Sequence, residues 1–129
     1  MKPTALSSTF VVIDSQLKAH GVPVSPSLYS DLDVNFQNFK SCILLAEYTF
    51  DADWPSWEMH PAGDEILLLI AGSAEIHLQQ NGEIITVKLE EVGSTRTGPQ
   101  ATWHTANVKE SCSIVFMIPG EGSVDALQP

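Results

Sequence analysis

Residues 65–70 read EILLLI, a glutamate followed by five aliphatic side chains. Successive side chains of a strand project to opposite faces, so Glu65, Leu67 and Leu69 would point one way and Ile66, Leu68 and Ile70 the other. Both faces then need cover. A barrel interior can take one, and a second sheet, the amino-terminal segment or a partner subunit the other. Elsewhere helical periodicity is scarce after residue 30, while short β-rich runs broken by Gly, Pro, Asn and Asp recur roughly every eight to twelve residues. The pattern predicts strands at TFVVI (from Thr9), DVNFQNF (from Asp33), CILLAEYT (from Cys42), EMH (from Glu58) and EILLLI (from Glu65). It continues with AEIHLQ (from Ala74), IITVKL (from Ile84), STRT (from Ser94), TWHTANV (from Thr102) and SIVFMI (from Ser113). This is an all-β chain of the sandwich or barrel kind.

Between AEIHLQ and IITVKL lies Asn81-Gly82, the dipeptide that most readily adopts the positive backbone angles of a two-residue hairpin turn. The first thirty residues are less regular: an opening strand, a short helix near Ser15 to His20, and a loop through GVPVSP. The carboxyl end, PGEGSVDALQP from Pro119, carries no pattern of its own.

Composition narrows the possibilities. At 129 residues and 14.0 kDa the chain has the size of one domain, residues 1–129, with a core over about 40–119 and residues 1–33 as an added strand and loop. A net charge of −10, with a single arginine, removes the attraction on which binding to nucleic acids and anionic membranes depends. ILLLIA is too short to span a bilayer and the amino terminus has no hydrophobic signal core, so the expected location is cytoplasmic. Cys42 and Cys112 form no C-x-x-C pair and read as buried core thiols.

Candidate chemistry sits at WPSWEMHPAGDEILLLIAG, Trp54 to Gly72, which sets Glu58, His60 and Glu65 against the most apolar run of the chain. A carboxylate at the edge of a buried strand is costly unless something cationic compensates it, and this segment has no lysine or arginine. Glu58 and His60, two apart, project from one strand face, and the turn Pro61 to Asp64 lets Glu65 return on a neighbouring strand. A second segment, VGSTRTGPQATWHTAN, offers a turn glycine, a proline-centred turn and then His104 entering a strand.

Together these segments resemble the two signature motifs of the cupin superfamily. The first family motif is G-x5-H-x-H-x3,4-E-x6-G, and Glu58-x-His60-x4-Glu65-x6-Gly72 matches its second His, its Glu and its closing Gly. The second is G-x5-P-x-G-x2-H-x3-N, and Gly93-x5-Pro99-x-Ala101-x2-His104-x2-Asn107 matches at Gly93, Pro99 and His104. The sequence departs at Glu58, where the family has its first histidine, at Ala101, where it has a glycine, and at Asn107, one residue early.

The resemblance implies a double-stranded β-helix, the cupin or jelly-roll barrel, holding one divalent metal ion. Its metal ligands would be His60, Glu65 and His104 by direct correspondence and Glu58 by position. A mixed nitrogen and oxygen set suits Fe, Mn, Ni or Zn, and without Glu58 the remaining two-histidine-one-carboxylate triad is that of non-haem iron oxygenases. Glu58 serves as ligand, as general base or as a substrate-orienting carboxylate; the ligand role is favoured if it faces an apolar interior. Arg96, Trp57, Trp103 and Tyr48 are candidates for substrate binding; Glu47 competes with Tyr48 for the inward face, and Trp54 is a further aromatic candidate at the mouth. The expected function is a metal-dependent enzyme acting on a small organic acid or similar polar metabolite, with dioxygenase chemistry ahead of isomerase or lyase chemistry. The alternative is a non-catalytic binding or sensing module. A homodimer is expected from the two-faced apolar strand.

Overall fold

The structure, a computed structural model, describes residues 2–129. Eleven strands and one helix follow in the order β1 (Thr9–Ile13), β2 (Ala19–Pro23), α1 (Leu28–Asn35), β3 (Ile43–Phe50), β4 (Trp57–Met59) and β5 (Glu65–Gly72). Then come β6 (Ala74–Gln80), β7 (Glu83–Leu89), β8 (Thr95–Gly98), β9 (His104–Asn107), β10 (Cys112–Ile118) and β11 (Val124–Ala126). They form two antiparallel sheets, β2-β1-β3-β10-β5-β8 and β11-β4-β9-β6-β7. The chain crosses repeatedly from one sheet to the other, which makes the architecture a double-stranded β-helix barrel.

The alternation on β5 is the organising feature. Glu65, Leu67 and Leu69 are buried, and the leucines meet Ile76, Leu78, Ile114 and Phe116 between the sheets. The opposite face, Ile66, Leu68 and Ile70, is partly exposed and continues across Val115 and Met117 of β10. The amino-terminal hairpin does not lie over it; β1 pairs with β3 and extends the same sheet. At the Asn81-Gly82 turn, φ is 53° and 78° and Gln80 faces Glu83, the tight hairpin that the dipeptide favours.

Three segments differ from the sequence expectation. Ser15 to His20 is not helical: Asp14 accepts the backbone N–H groups of Gln16 and Lys18 and turns the chain into the β1–β2 hairpin. DVNFQNF is not a strand. Its first three residues end α1, whose buried Leu28 and Leu32 lie one helical turn apart against Phe10, Val12, Leu44 and Ala46. The backbone of Gln37, Asn38 and Phe39 then turns left-handed, which no strand tolerates. Finally, the carboxyl end supplies β11, paired with β4. Among the described residues no helix is long and apolar enough to cross a membrane.

Candidate metal centre

The sheet register brings the chemistry to one end of the barrel. On the five-stranded sheet Glu58 of β4 lies directly opposite His104 of β9, and His60 follows β4 immediately. Glu65 opens β5 on the other sheet, opposite Gly98. Two turns are stitched together to hold these strands in place: Asp64 accepts the Gln100 N–H at 2.7 Å, and the His60 carbonyl accepts the Ala101 N–H at 3.0 Å. Ala101 sits at φ 57°, in the left-handed region that a glycine would occupy without strain. Its methyl group there costs about 1 kcal/mol.

Glu58, His60 and His104 offer ligand atoms within 4.8 Å of one another. Glu65 closes on both histidines: its carboxylate lies 3.4 Å from His60 Nε2 and 3.1 Å from His104 Nε2. Yet both Nε2 atoms and both carboxylate oxygens are buried without a hydrogen bond of acceptable geometry. Close approach without alignment is what lone pairs converging on a common point produce. Donors on one metal at bond lengths near 2.1 Å sit roughly 3 to 3.4 Å apart at tetrahedral or octahedral angles. The Glu65 separations fit that range. Glu58 Oε2, 4.0 Å from His60 Nε2 and 3.9 Å from His104 Nε2, lies just outside it.

Each histidine is held by its other nitrogen. The Thr102 carbonyl, which can only accept, takes the His104 Nδ1–H at 3.3 Å, and with its Nε2 turned into the site His60 donates from Nδ1 to Ser123 Oγ at 2.7 Å. Such outer contacts fix tautomer and ring orientation. Ser123 had no signal in the sequence. Ser123→Ala is therefore expected to weaken metal affinity about ten-fold, within the range for such contacts, with Ser123→Thr restoring it in a metal titration; unchanged affinity in the alanine variant would leave Ser123 without that role.

Electrostatics separate the two glutamates. Burial works against ionisation of Glu65, which is 1% exposed, but His104 and His60 outweigh it and hold the carboxyl below its usual range. His104 moves the other way: Glu65 overcomes the effect of burial and raises it. For Glu58, partial burial raises the carboxyl, and repulsion from Glu65 and Asp125 adds to this against the two histidines. The Glu58 side chain is 40% exposed and opens to the cavity side of the cluster.

Glu58 lies where two cavities meet. One, about 430 Å³, is walled by Tyr48, Phe50, Trp54 and Phe116; the other, about 460 Å³, by Leu32, Leu44, His60, Ser123 and Asp125. Tyr29 of α1 and Ile118 border both. Tyr48 faces inward, its hydroxyl hydrogen-bonded to that of Tyr29, and Glu47 is on the outer face beside Val115. Burial pushes both phenols up, with the Glu58 carboxylate adding to it, so both stay protonated. Trp54 contacts the His104 ring at 6.0 Å between centroids.

Other candidates lie elsewhere. Arg96, opposite Leu67 on β8, lines neither cavity and pairs with no carboxylate among the described residues. Trp57 borders a separate groove with His77 and Thr86, and Trp103 lines neither cavity.

Solved structures similar to this chain include a cupin and two oxalate enzymes. A cupin-2 domain protein from Shewanella frigidimarina superposes with a TM-score of 0.51 at 19% identity, over 60% of this chain and 70% of that one. Oxalate decarboxylase from Bacillus subtilis, described for its Mn(II) centres, gives 0.56 at 20%, over 73% of this chain and 26% of its own. An oxalate oxidase gives 0.53 at 20%, over 64% and 45%. The chain thus spans less than half of either oxalate enzyme. No protein-family model matches the sequence, and no curated protein matches it. The chain has the cupin fold.

Proposed function

We propose that this chain is a metal-binding cupin acting on a small polar metabolite, with His60, Glu65 and His104 holding one divalent ion and Glu58 facing the metabolite. The observation that carries this reading is the close approach of four buried donor atoms without hydrogen bonds, the Nε2 atoms of His60 and His104 and the two Glu65 oxygens, with Glu58 within 4.8 Å of both imidazoles. Leaving such groups unsatisfied would cost several kcal/mol, which a cation would recover. Two imidazoles and a carboxylate suit Fe(II), Mn(II), Ni(II) or Zn(II), and the Mn(II) centres named for the decarboxylase of this fold support the same reading. When bound, such an ion supplies Lewis-acid chemistry or, as iron, the oxygen chemistry of two-histidine-one-carboxylate sites.

The chain's own residues do the rest. Ser123 and Thr102 occupy the Nδ1 atoms of His60 and His104, which leaves Nε2 of each ring turned towards the metal position. Tyr48, Phe50 and Trp54 give the first cavity an apolar wall. Glu58, bordering both cavities and held slightly back from the donor cluster, is placed to take or give a proton at Oε2 beside a bound molecule.

Glu58→Gln separates the roles. The variant is expected to keep close to one metal per chain at nearly wild-type affinity. It should lose substrate-dependent oxygen uptake when loaded with Fe(II) without air and screened against a broad metabolite panel. A fall in affinity of ten- to a hundred-fold would return Glu58 to the ligand set. No uptake by the wild type, combined with tight retention of zinc or nickel, would favour the non-catalytic binding module.

A further inference from the structure

We propose that the cavities beside Glu58 take a small organic amine in its ammonium form and reject carboxylates. The inference deepens the reading above and rests on it only for the position of the metal.

The first cavity has a continuous aromatic wall. Tyr48 and Phe50 stack at 6.0 Å, Phe50 meets Trp54 at 5.3 Å, and Phe116 closes on Trp54 at 6.0 Å. The faces of these rings carry partial negative charge and attract a cation within about 6 Å. The charged side chains of both linings have one sign. Asp51, Asp53 and Glu58 border the first cavity, Asp33, Asp125 and Glu58 the second, and no lysine or arginine borders either. Among the described residues none of the four aspartates is in an ion pair. Asp53 alone is partly engaged, accepting the Val108 N–H at 2.7 Å.

A divalent ion does not reverse this balance. Glu65 and Glu58 together neutralise it, and the aspartates stay uncompensated. His60 Nε2, buried and unpartnered, places the donor cluster at the edge of the second cavity, so a molecule filling this space reaches the reactive end. An incoming carboxylate meets aromatic faces and four like charges, without the guanidinium or ammonium that would hold it. An ammonium group meets complementary charge, and its apolar body fits the aromatic wall.

The test compares three probes with a common phenyl body: 2-phenylethylammonium, 2-phenylethanol and phenylacetate. Each is titrated by calorimetry in about 0.15 M salt, where long-range attraction to the net charge is screened. Both metal-free and zinc-loaded full-length protein are used, with zinc content measured separately. The ammonium probe is expected to bind at least ten-fold more tightly than phenylacetate in both forms, with the alcohol between them. Asp51→Asn should shrink that preference several-fold. Equal or tighter binding of phenylacetate in the metal-free protein, or no binding of the ammonium probe at millimolar concentration, overturns the proposal. Failure to bind zinc with the ammonium preference intact removes the metal reading and supports this one; zinc binding without the preference does the reverse.

Discussion

Glu65→Gln is expected to lose tight divalent-metal binding, with affinity falling about a hundred-fold or more, while the metal-free protein stays folded. Glutamine keeps the volume of a side chain that is 1% exposed, so packing against Gly98 and the two histidines is preserved. What disappears is the anionic donor. In the metal-free wild type an ionised Glu65 must be stabilised by His104 and His60 alone, against the full effect of burial. The variant loses that charge together with the attraction to the histidines that outweighs burial. Metal-free Glu65→Gln should therefore melt at or below metal-free wild type, whereas added metal raises the melting temperature of the wild type only. Thermal unfolding with and without metal reads both effects. An equal metal-induced rise in the two proteins would take Glu65 out of the ligand set.

Gly72→Ala is expected to destabilise the fold by about 3 kcal/mol or more, the sum of a left-handed alanine and a backbone overlap. Gly72 has φ 72°, and a Cβ there would stand 2.0 Å from the Ser111 carbonyl oxygen and 2.9 Å from Cys112 Cα. Neither neighbour can rotate away, because Cys112 is the β10 partner of Gly72. Gly82→Ala is the control: φ is 78° but nothing lies within 4 Å of the added methyl, so only the conformational cost of about 1 kcal/mol remains. Urea unfolding of both variants separates strain from overlap. Equal losses would mean that β10 shifts freely.

Legibility in the sequence followed physical signal. β5, β6 and β10 are readable because one face of each is buried, so apolar residues recur at the strand period, and Asn81-Gly82 because a tight turn needs positive φ. The alternation Leu44, Ala46, Tyr48, Phe50 along β3 also carries the inward orientation of Tyr48. DVNFQNF misled because Val34 and Phe36 mimic that alternation, although Val34 is 81% exposed and ends a helix anchored by Leu28 and Leu32. β2 holds a glycine and a proline and buries no residue fully; it is a strand only because β1 pairs with it. β11 is three residues long and equally silent, which hid Ser123. The arrival of Tyr29 beside Tyr48 depends on how α1 packs, a tertiary fact with no local trace.

The central claim is one divalent ion held by His60, Glu65 and His104. Elemental analysis of metal-stripped protein, after titration with Zn(II) and removal of excess, tests it most directly, with His104→Ala treated alongside. Close to one zinc per wild-type chain is expected, and almost none in the variant. Equal zinc in both, or none in the wild type, would contradict it.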